Sequence, residues 1–316
     1  MAEKQKLAIV AVGGNSLIVD ERHKTVPDQY NACLETAKNI AGLIKKGYRL
    51  VVTHGNGPQV GFILRRSELA RGELHDVPLD SCGADTQGAI GYQLQKALYN
   101  IMRDWPERPT VATVVTQVLV DRKDPSFQMP SKPIGSFMGE PEAKERHEKE
   151  GWNVVEDAGR GWRRVVASPK PKKILELEAI RRLLDAGVIV IAVGGGGIPV
   201  VELEDGTLTG ADAVIDKDLA SSLLARELQA DYLVISTAVE KVAINYKKPD
   251  HQDLDRMTVA EAKKYLAEGH FAPGSMKPKI EAVVEFLEAG GKEALVTDPQ
   301  HLVPAFEGKT GTWIVA

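Results

Sequence analysis

Four glycine-rich turns stand out in the 316-residue sequence: Gly13-Gly14-Asn15, Gly55-Asn56-Gly57, Gly194-Gly195-Gly196-Gly197 and Gly274-Ser275. The first three follow, or closely follow, short apolar runs at residues 7–12, 50–53 and 188–193. Glycine at the carboxyl end of a parallel strand lets the backbone approach an anion and turn its N–H groups toward it. That end of the strands is also where open parallel sheets bind ligands. One such turn would be an ordinary strand-to-helix connection. Three on one sheet favour a phosphorylated or nucleotide ligand.

Lysines occur where a helix start disfavours them. Pro273-Gly274-Ser275-Met276-Lys277-Pro278-Lys279 reads as a helix opening, with Ser275 as N-cap and Pro278 tolerated in the first turn. Lys277 and Lys279 there oppose the helix dipole, at a cost of a few tenths to ~1 kcal/mol. An anion at the same place reverses the sign, because N–H groups and ammonium groups attract it together. A second case is the stretch 212–218, where Asp212 could cap a helix whose first two turns carry Lys217 between Asp216 and Asp218. A third is Lys132, in Ser131-Lys132-Pro133-Ile134-Gly135. The plain alternative, a solvated surface charge, is weakest for Lys279 and grows in turn for Lys217, Lys277 and Lys132.

Other chemistries find little support. The seven histidines are scattered, with neither the HExxH spacing of a metalloprotease nor the elbow of a hydrolase. His54, beside Gly55, is the one near the glycine turns, and a structural role is expected for it. Cys33 and Cys82 match no metal or redox spacing and read as buried thiols. Two nucleotide motifs are approached and missed. Gly55 to Gly61 resembles the dinucleotide fingerprint, but Val60 replaces the third glycine. Gly308-Lys309-Thr310 ends like a P-loop, but Val303 stands at the upstream glycine. Any nucleotide site is therefore of another design.

These residues must be positioned by an alternating pattern. Strand-like runs at 7–12, 50–53, 111–120, 188–193, 232–236, 294–297 and 312–315 are separated by helical patterns. The helices are expected at 28–46, 60–70, 83–102, 172–186, 213–229 and 277–289. Continuous apolar strands joined by helices imply an α/β fold with a mostly parallel sheet covered on both faces. Residues 121–167 break the rhythm with four prolines, a charged helix at 142–150 and a Gly/Trp/Arg run, and read as a lid or subdomain. A lobe boundary is expected near 197–210, where Glu204-Asp205-Gly206 turns the chain between two short strands. With 40 basic against 44 acidic side chains, 43% hydrophobic and 27% charged residues, the chain has an ordinary globular composition. Its net charge of −4 argues against nucleic-acid binding. No run approaches a membrane span or a signal peptide, so a cytoplasmic protein is expected.

Taken together, the segments resemble the amino acid kinase family, and within it the branch that acts on carbamate. The resemblance rests on Ala11-Val12-Gly13-Gly14-Asn15, the stretch from Thr53 to Val60, Cys82-Gly83-Ala84, Gln87-Gly88 and Lys132-Pro133-Ile134-Gly135. It continues through the stretches 156–162 and 194–199, Ile215-Asp216-Lys217-Asp218, Ile244-Asn245-Tyr246 and the stretch 274–279. Each piece is weak alone. Their order along nearly the whole chain is specific. Asp85-Thr86 and Ala167 depart from the pattern, at positions that carry none of the expected site charges.

The resemblance implies one domain over 1–316, a three-layer αβα sandwich around an open, mostly parallel sheet. Its N-terminal half, 1–200, would bind the phosphoryl acceptor and its C-terminal half, 201–316, the nucleotide, with 121–167 as a protruding lid. It implies reversible phosphoryl transfer between ATP and carbamate, Mg2+ with ATP or ADP, and a homodimer. Several branches of the family place a lysine directly after the first glycine pair. Asn15 stands there instead, so Lys217 and Lys132 are implied as the replacement charge. Gly13, Gly14, Asn15, Gly55, Asn56 and Gly57 would cradle the acyl phosphate with backbone N–H groups. Lys132, Lys217, Asp218 and Lys279 form the implied catalytic set, with Asp218 holding the lysines and reaching the metal through water. The implied nucleotide pocket adds Gly195, Gly196, Thr237, Val239, Tyr246, Gly274 and Met276. Two rivals stay open: a kinase of the same fold acting on another acceptor such as acetylglutamate, and a nucleotide-binding regulator without catalysis.

Overall fold

The computed structural model describes residues 5–13, 17, 22–156 and 161–316. At its centre runs β1 (Leu7–Val12), buried at all six positions. Its side chains alternate, as the period of a strand requires: Leu7, Ile9 and Ala11 enter one core, Ala8, Val10 and Val12 the other. A strand buried on both faces belongs inside a sheet covered by helices.

The N-terminal part continues with α1 (Val26–Lys45), β2 (Arg49–His54), α2 (Gly57–Leu69), α3 (Leu79–Ile101), β3 (Val111–Thr113) and β4 (Gln117–Val120). Thr25 and Asp28 form a capping box that fixes the start of α1. A small subdomain follows, made of β5 (Lys132–Met138), α4 (Glu140–Glu150), β6 (Asn153–Glu156) and β7 (Trp162–Val166). The chain returns through β8 (Pro171–Ile174), α5 (Leu177–Asp185), β9 (Ile189–Ile191), β10 (Ile198–Glu202) and β11 (Leu208–Gly210). The C-terminal part comprises α6 (Lys217–Glu227), β12 (Tyr232–Ser236), β13 (Val242–Ile244), β14 (Gln252–Leu254), β15 (Arg256–Thr258) and α7 (Val259–Ala267). It ends with α8 (Met276–Glu288), β16 (Glu293–Thr297), α9 (Leu302–Phe306) and β17 (Thr312–Val315).

Among the described residues the main sheet has eight strands in the order β15-β17-β16-β12-β1-β2-β9-β3, and only the β16/β17 pairing is antiparallel. Helices α5, α6, α7 and α8 contribute to the core on one face, and α1, α3 and α9 to the core on the other. The expected αβα sandwich is therefore observed. Within residues 132–156 and 162–166 of the expected lid, β5, β7 and β6 form a three-stranded antiparallel sheet with α4 beside it. The subdomain sits on α2 where Gly61 meets Gly135, and a Cβ on Gly61 would come 3.0 Å from the Gly135 Cα.

Several expected boundaries move, each because a contact distant in sequence intervenes. The apolar run 111–120 splits between two sheets, β3 in the main one and β4 in a second, β11-β10-β4-β8. The Gln87 side chain makes the break possible: it accepts the Thr116 N–H (2.7 Å) and donates to the Thr116 carbonyl (3.1 Å), replacing a strand partner. The helix expected from residue 172 starts only at Leu177, because residues 171–174 pair with β4 as β8. The helix expected from 213 starts at Lys217, because Ala213 bridges to Ala167 and the Val214 N–H donates to the Ala167 carbonyl at 2.9 Å. Its N-cap is Asp216, not Asp212, which lies beside Arg164 instead. The hairpin β13/β14, β15 and α7 had no counterpart among the expected elements.

Candidate active site

The carboxyl ends of β1, β2 and β12 face the starts of α6 and α8, and the charges gather there. Asp216 caps α6 by accepting the N–H groups of Asp218 (2.9 Å) and Leu219 (3.4 Å). This places Lys217 and Asp218 in the first turn. From the first turn of α8, Lys279 reaches the Asp218 carboxylate at 2.9 Å, and Lys217 holds its other oxygen at 2.5 Å. Thr53 at the end of β2 donates to Ser221 (2.6 Å), whose own proton goes to the Lys217 carbonyl, so strand and helix are joined at this point. Lys132, at the start of β5, donates to the second oxygen of Asp216 at 2.8 Å. All four members of the expected catalytic set are thus within one continuous network.

One carboxylate serves two ammonium groups in this buried cluster. Burial pushes the Asp218 carboxyl up, but the lysines outweigh it and bring it down to about 2. Burial also pushes Lys217 below the usual lysine range; Asp218 opposes the shift and Lys279 adds to it. Asp218 is firmly ionised and the lysines are short of negative charge, which is the condition of a site built for an anion.

A cavity of about 880 Å³ opens from the cluster, within the size range of small-ligand sites. Lys217 and Lys279 stand at its wall, and Thr237, Val239, Tyr246, Gly274 and Met276 line it. Residues 269–272 and Ala243 line it as well, in a stretch whose short elements had escaped the sequence reading. Ser275 stands at the N-cap of α8 but its side chain makes no capping bond, contrary to its expected role; its hydroxyl points back to the Ala272 carbonyl at 3.4 Å. Lys277 pairs loosely with Glu281 on the surface and stays outside the cluster.

Gly13 lines the same cavity, but part of the backbone of the glycine turns is already committed within the fold. The Gly13 N–H donates to the Ser236 carbonyl and the Gly55 N–H to the Val12 carbonyl, both at 3.0 Å, so neither is available to an anion. Gly57 opens α2, and the Asn56 side chain is committed to Thr86 at 2.8 Å. Gly14 and Asn15 lie outside the described residues. Gly195 and Gly196 are absent from the cavity wall: a Cβ on Gly195 would lie 2.1 Å from Asn56 Nδ2, and one on Gly196 2.4 Å from the Ile215 carbonyl oxygen. Their smallness lets the turn at Asn56 and the approach to α6 pack together. His54 is buried with its Nδ1 on the Gly55 carbonyl (3.0 Å), and burial lowers it to about 4, so the ring is neutral. Cys33 and Cys82 are free and buried, and burial raises them to about 12 and 11.

The amino acid kinase family pattern matches residues 6–298. The chain belongs to the amino acid kinase family. Among relatives, the carbamate kinase-like protein YahI of Escherichia coli is 51% identical, over 98% of this chain and 99% of that one. The carbamate kinase of Thermococcus kodakarensis is 48% identical, again over 98% and 99%. The solved structure of Giardia lamblia carbamate kinase bound to AMP-PNP superposes with a TM-score of 0.92 at 43% identity, covering 99% of both chains. In this member of the amino acid kinase family, no helix among the described residues is long and apolar enough to cross a membrane. No group of three or more His, Cys, Asp or Glu side chains that could hold a metal ion occurs among them either.

Proposed function

We propose that this chain is a carbamate kinase, catalysing reversible transfer of a phosphoryl group between carbamoyl phosphate and ADP to give carbamate and ATP. One observation carries the reading: two half-buried lysines share a single buried aspartate at the wall of a nucleotide-sized cavity, with a lid lysine tied to the same helix start. Phosphoryl transfer asks a protein for positioning and charge neutralisation more than for covalent chemistry. Lys217 and Lys279 neutralise the β-phosphate and the transferring group, and Asp218 fixes both ammonium groups. Lys132 meets the acceptor side from the lid. Carbamate is already an anion, so no general base is required, and the one histidine at the turns is buried and neutral. The relatives named carbamate kinase span the full chain, which favours this acceptor over a larger one.

Mg2+ fits the site as an ion carried by the nucleotide. Both oxygens of Asp218 are engaged by lysines, which leaves a water-bridged contact as the protein's share, while phosphates and water supply the other ligands. When bound, the ion neutralises charge on the transferring oxygens. Nucleotide binding by the half 201–316, acceptor binding by 1–200, a homodimer and a cytoplasmic location belong to the same proposal.

The test is ATP formation from ADP and Mg2+ with carbamoyl phosphate, acetyl phosphate or acetylglutamyl phosphate as donor. Carbamoyl phosphate is expected to be the working donor. Failure with it and success with another would overturn the acceptor assignment. Calorimetry that shows ADP binding without turnover of any donor would instead favour a silent regulator.

A further inference from the structure

Asp216 faces two parts of the molecule with its two carboxylate oxygens. Oδ1 caps α6 through the N–H groups of Asp218 and Leu219, and Oδ2 accepts Lys132 Nζ at 2.8 Å. The pair is partly desolvated, with side-chain exposures of 34% for Lys132 and 15% for Asp216, a setting in which a charge-assisted bond is stronger than on an open surface. The backbone around it is continuous. Lys132 pairs with Val166 in the lid sheet, Ala167 bridges to Ala213, and Val214 donates to the Ala167 carbonyl at 2.9 Å. Residues 213–216 therefore join the root of the lid to the helix start that carries Lys217 and Asp218.

An ammonium group has three N–H donors, and Asp216 engages one. The remaining two are free in direction only as far as the first bond fixes the nitrogen. We propose that Asp216 is a positioning residue for phosphoryl transfer: with one oxygen it caps helix α6, and with the other it holds the lid's Lys132 toward the transferring group. Lid and nucleotide-side cluster are then registered through a single side chain. The inference rests on the carbamate kinase reading, in which Lys132 neutralises charge on the acceptor side. An N-cap role alone would not require the second oxygen to take a lysine from another subdomain.

Asp216→Asn separates the two roles, because asparagine caps a helix as well as aspartate does but carries no charge. In the full-length protein it is expected to lower kcat/KM for carbamoyl phosphate about tenfold with the KM for ADP unchanged, within the range of couplings between contacting residues. In a Lys132→Ala background the same substitution is expected to change kcat/KM less than about twofold. A tenfold loss in both backgrounds, or no loss in either, overturns the proposal. A second readout needs no turnover. Hydrogen exchange of residues 132–138 is expected to speed up about fivefold in Asp216→Asn, while 217–227 keeps its protection. Unchanged exchange at 132–138, or lost protection confined to the helix, also overturns it. A wild-type protein that forms no ATP from carbamoyl phosphate, or a fully active Lys132→Ala variant, fails the underlying reading instead and is recognised without any Asp216 variant.

Discussion

Replacing Asp218 by asparagine tests the charge arrangement at its centre. The side chain keeps its shape and loses the charge that holds Lys217 at 2.5 Å and Lys279 at 2.9 Å. A carboxyl lowered from 3.8 to about 2 in the folded protein favours its charged form by ~2.5 kcal/mol, from the free energy of one pKa unit. Asparagine imitates the uncharged form, so folding should lose at least that much; breaking a buried pair by removing one partner typically costs ~3–5 kcal/mol. For a chain of this size the melting temperature should fall by about 5 °C or more. Turnover should fall ~10²–10³-fold, the usual loss when a transition-state charge donor is displaced. Burial already pushes Lys217 below the usual lysine range, and losing its acid partner pushes it further. The residual activity of the variant should therefore rise as pH is lowered, while wild type shows no such gain. Coupled ATP-formation assays across a pH series, with thermal melts with and without ADP, read all three effects. Near-normal turnover with an unchanged melting temperature would refute the reasoning.

Lys217→Ala and Lys279→Ala are each expected to lose ~10²–10³ in kcat while remaining folded by circular dichroism. Gly195→Ala should destabilise by ~2–5 kcal/mol, because φ is +68° there and the new Cβ would meet Asn56 Nδ2 at 2.1 Å; urea unfolding reads it. Buried His54 makes stability pH-dependent with a definite sign. Its folded value near 4 lies below the 6.5 of the unfolded chain, so its contribution is intact above 6.5 and erodes as pH falls toward 4, by up to ~3 kcal/mol. Asp218 adds a further loss as pH falls from 3.8 toward 2. Urea midpoints measured against pH should show both steps, and His54→Gln should remove the upper one.

What was legible in the sequence is what short-range physics encodes. Lys217 and Lys279 were visible because a cation at a helix start opposes the dipole, an anomaly readable within a few residues. The apolar strands were visible by composition, and β1, β12 and β17 coincide with their expected limits. What escaped depends on contacts between distant segments. Nothing local told Asp216 from Asp212 as the cap of α6; the choice follows from the backbone bond of Val214 to Ala167, beyond the lid. Gly195 and Gly196 looked like phosphate turns because glycine marks close approach without naming the partner, here Asn56 and Ile215. Residues 238–272 contain strands of only three residues, too short for a period to register. Thr237, Val239 and Tyr246 on the cavity wall came from the family resemblance, not from any local signal.

The near-neutral chain hides a local imbalance that suits the site to an anion. Within the network three lysines face two aspartates, a surplus of one positive charge: Lys132, Lys217 and Lys279 against Asp216 and Asp218. Were each lysine matched by its own buried acid, an incoming phosphate would have to displace a carboxylate. Were the lysines unpaired, the cluster would lose charge through deprotonation in its buried setting. Sharing Asp218 between two lysines holds both ammonium groups in place and leaves each with N–H donors to spare. Asp216 applies the same device to the lid, holding Lys132 by one of its three donors. The surplus charge is then cancelled by the phosphoryl group itself, so ligand binding should raise the stability of the fold.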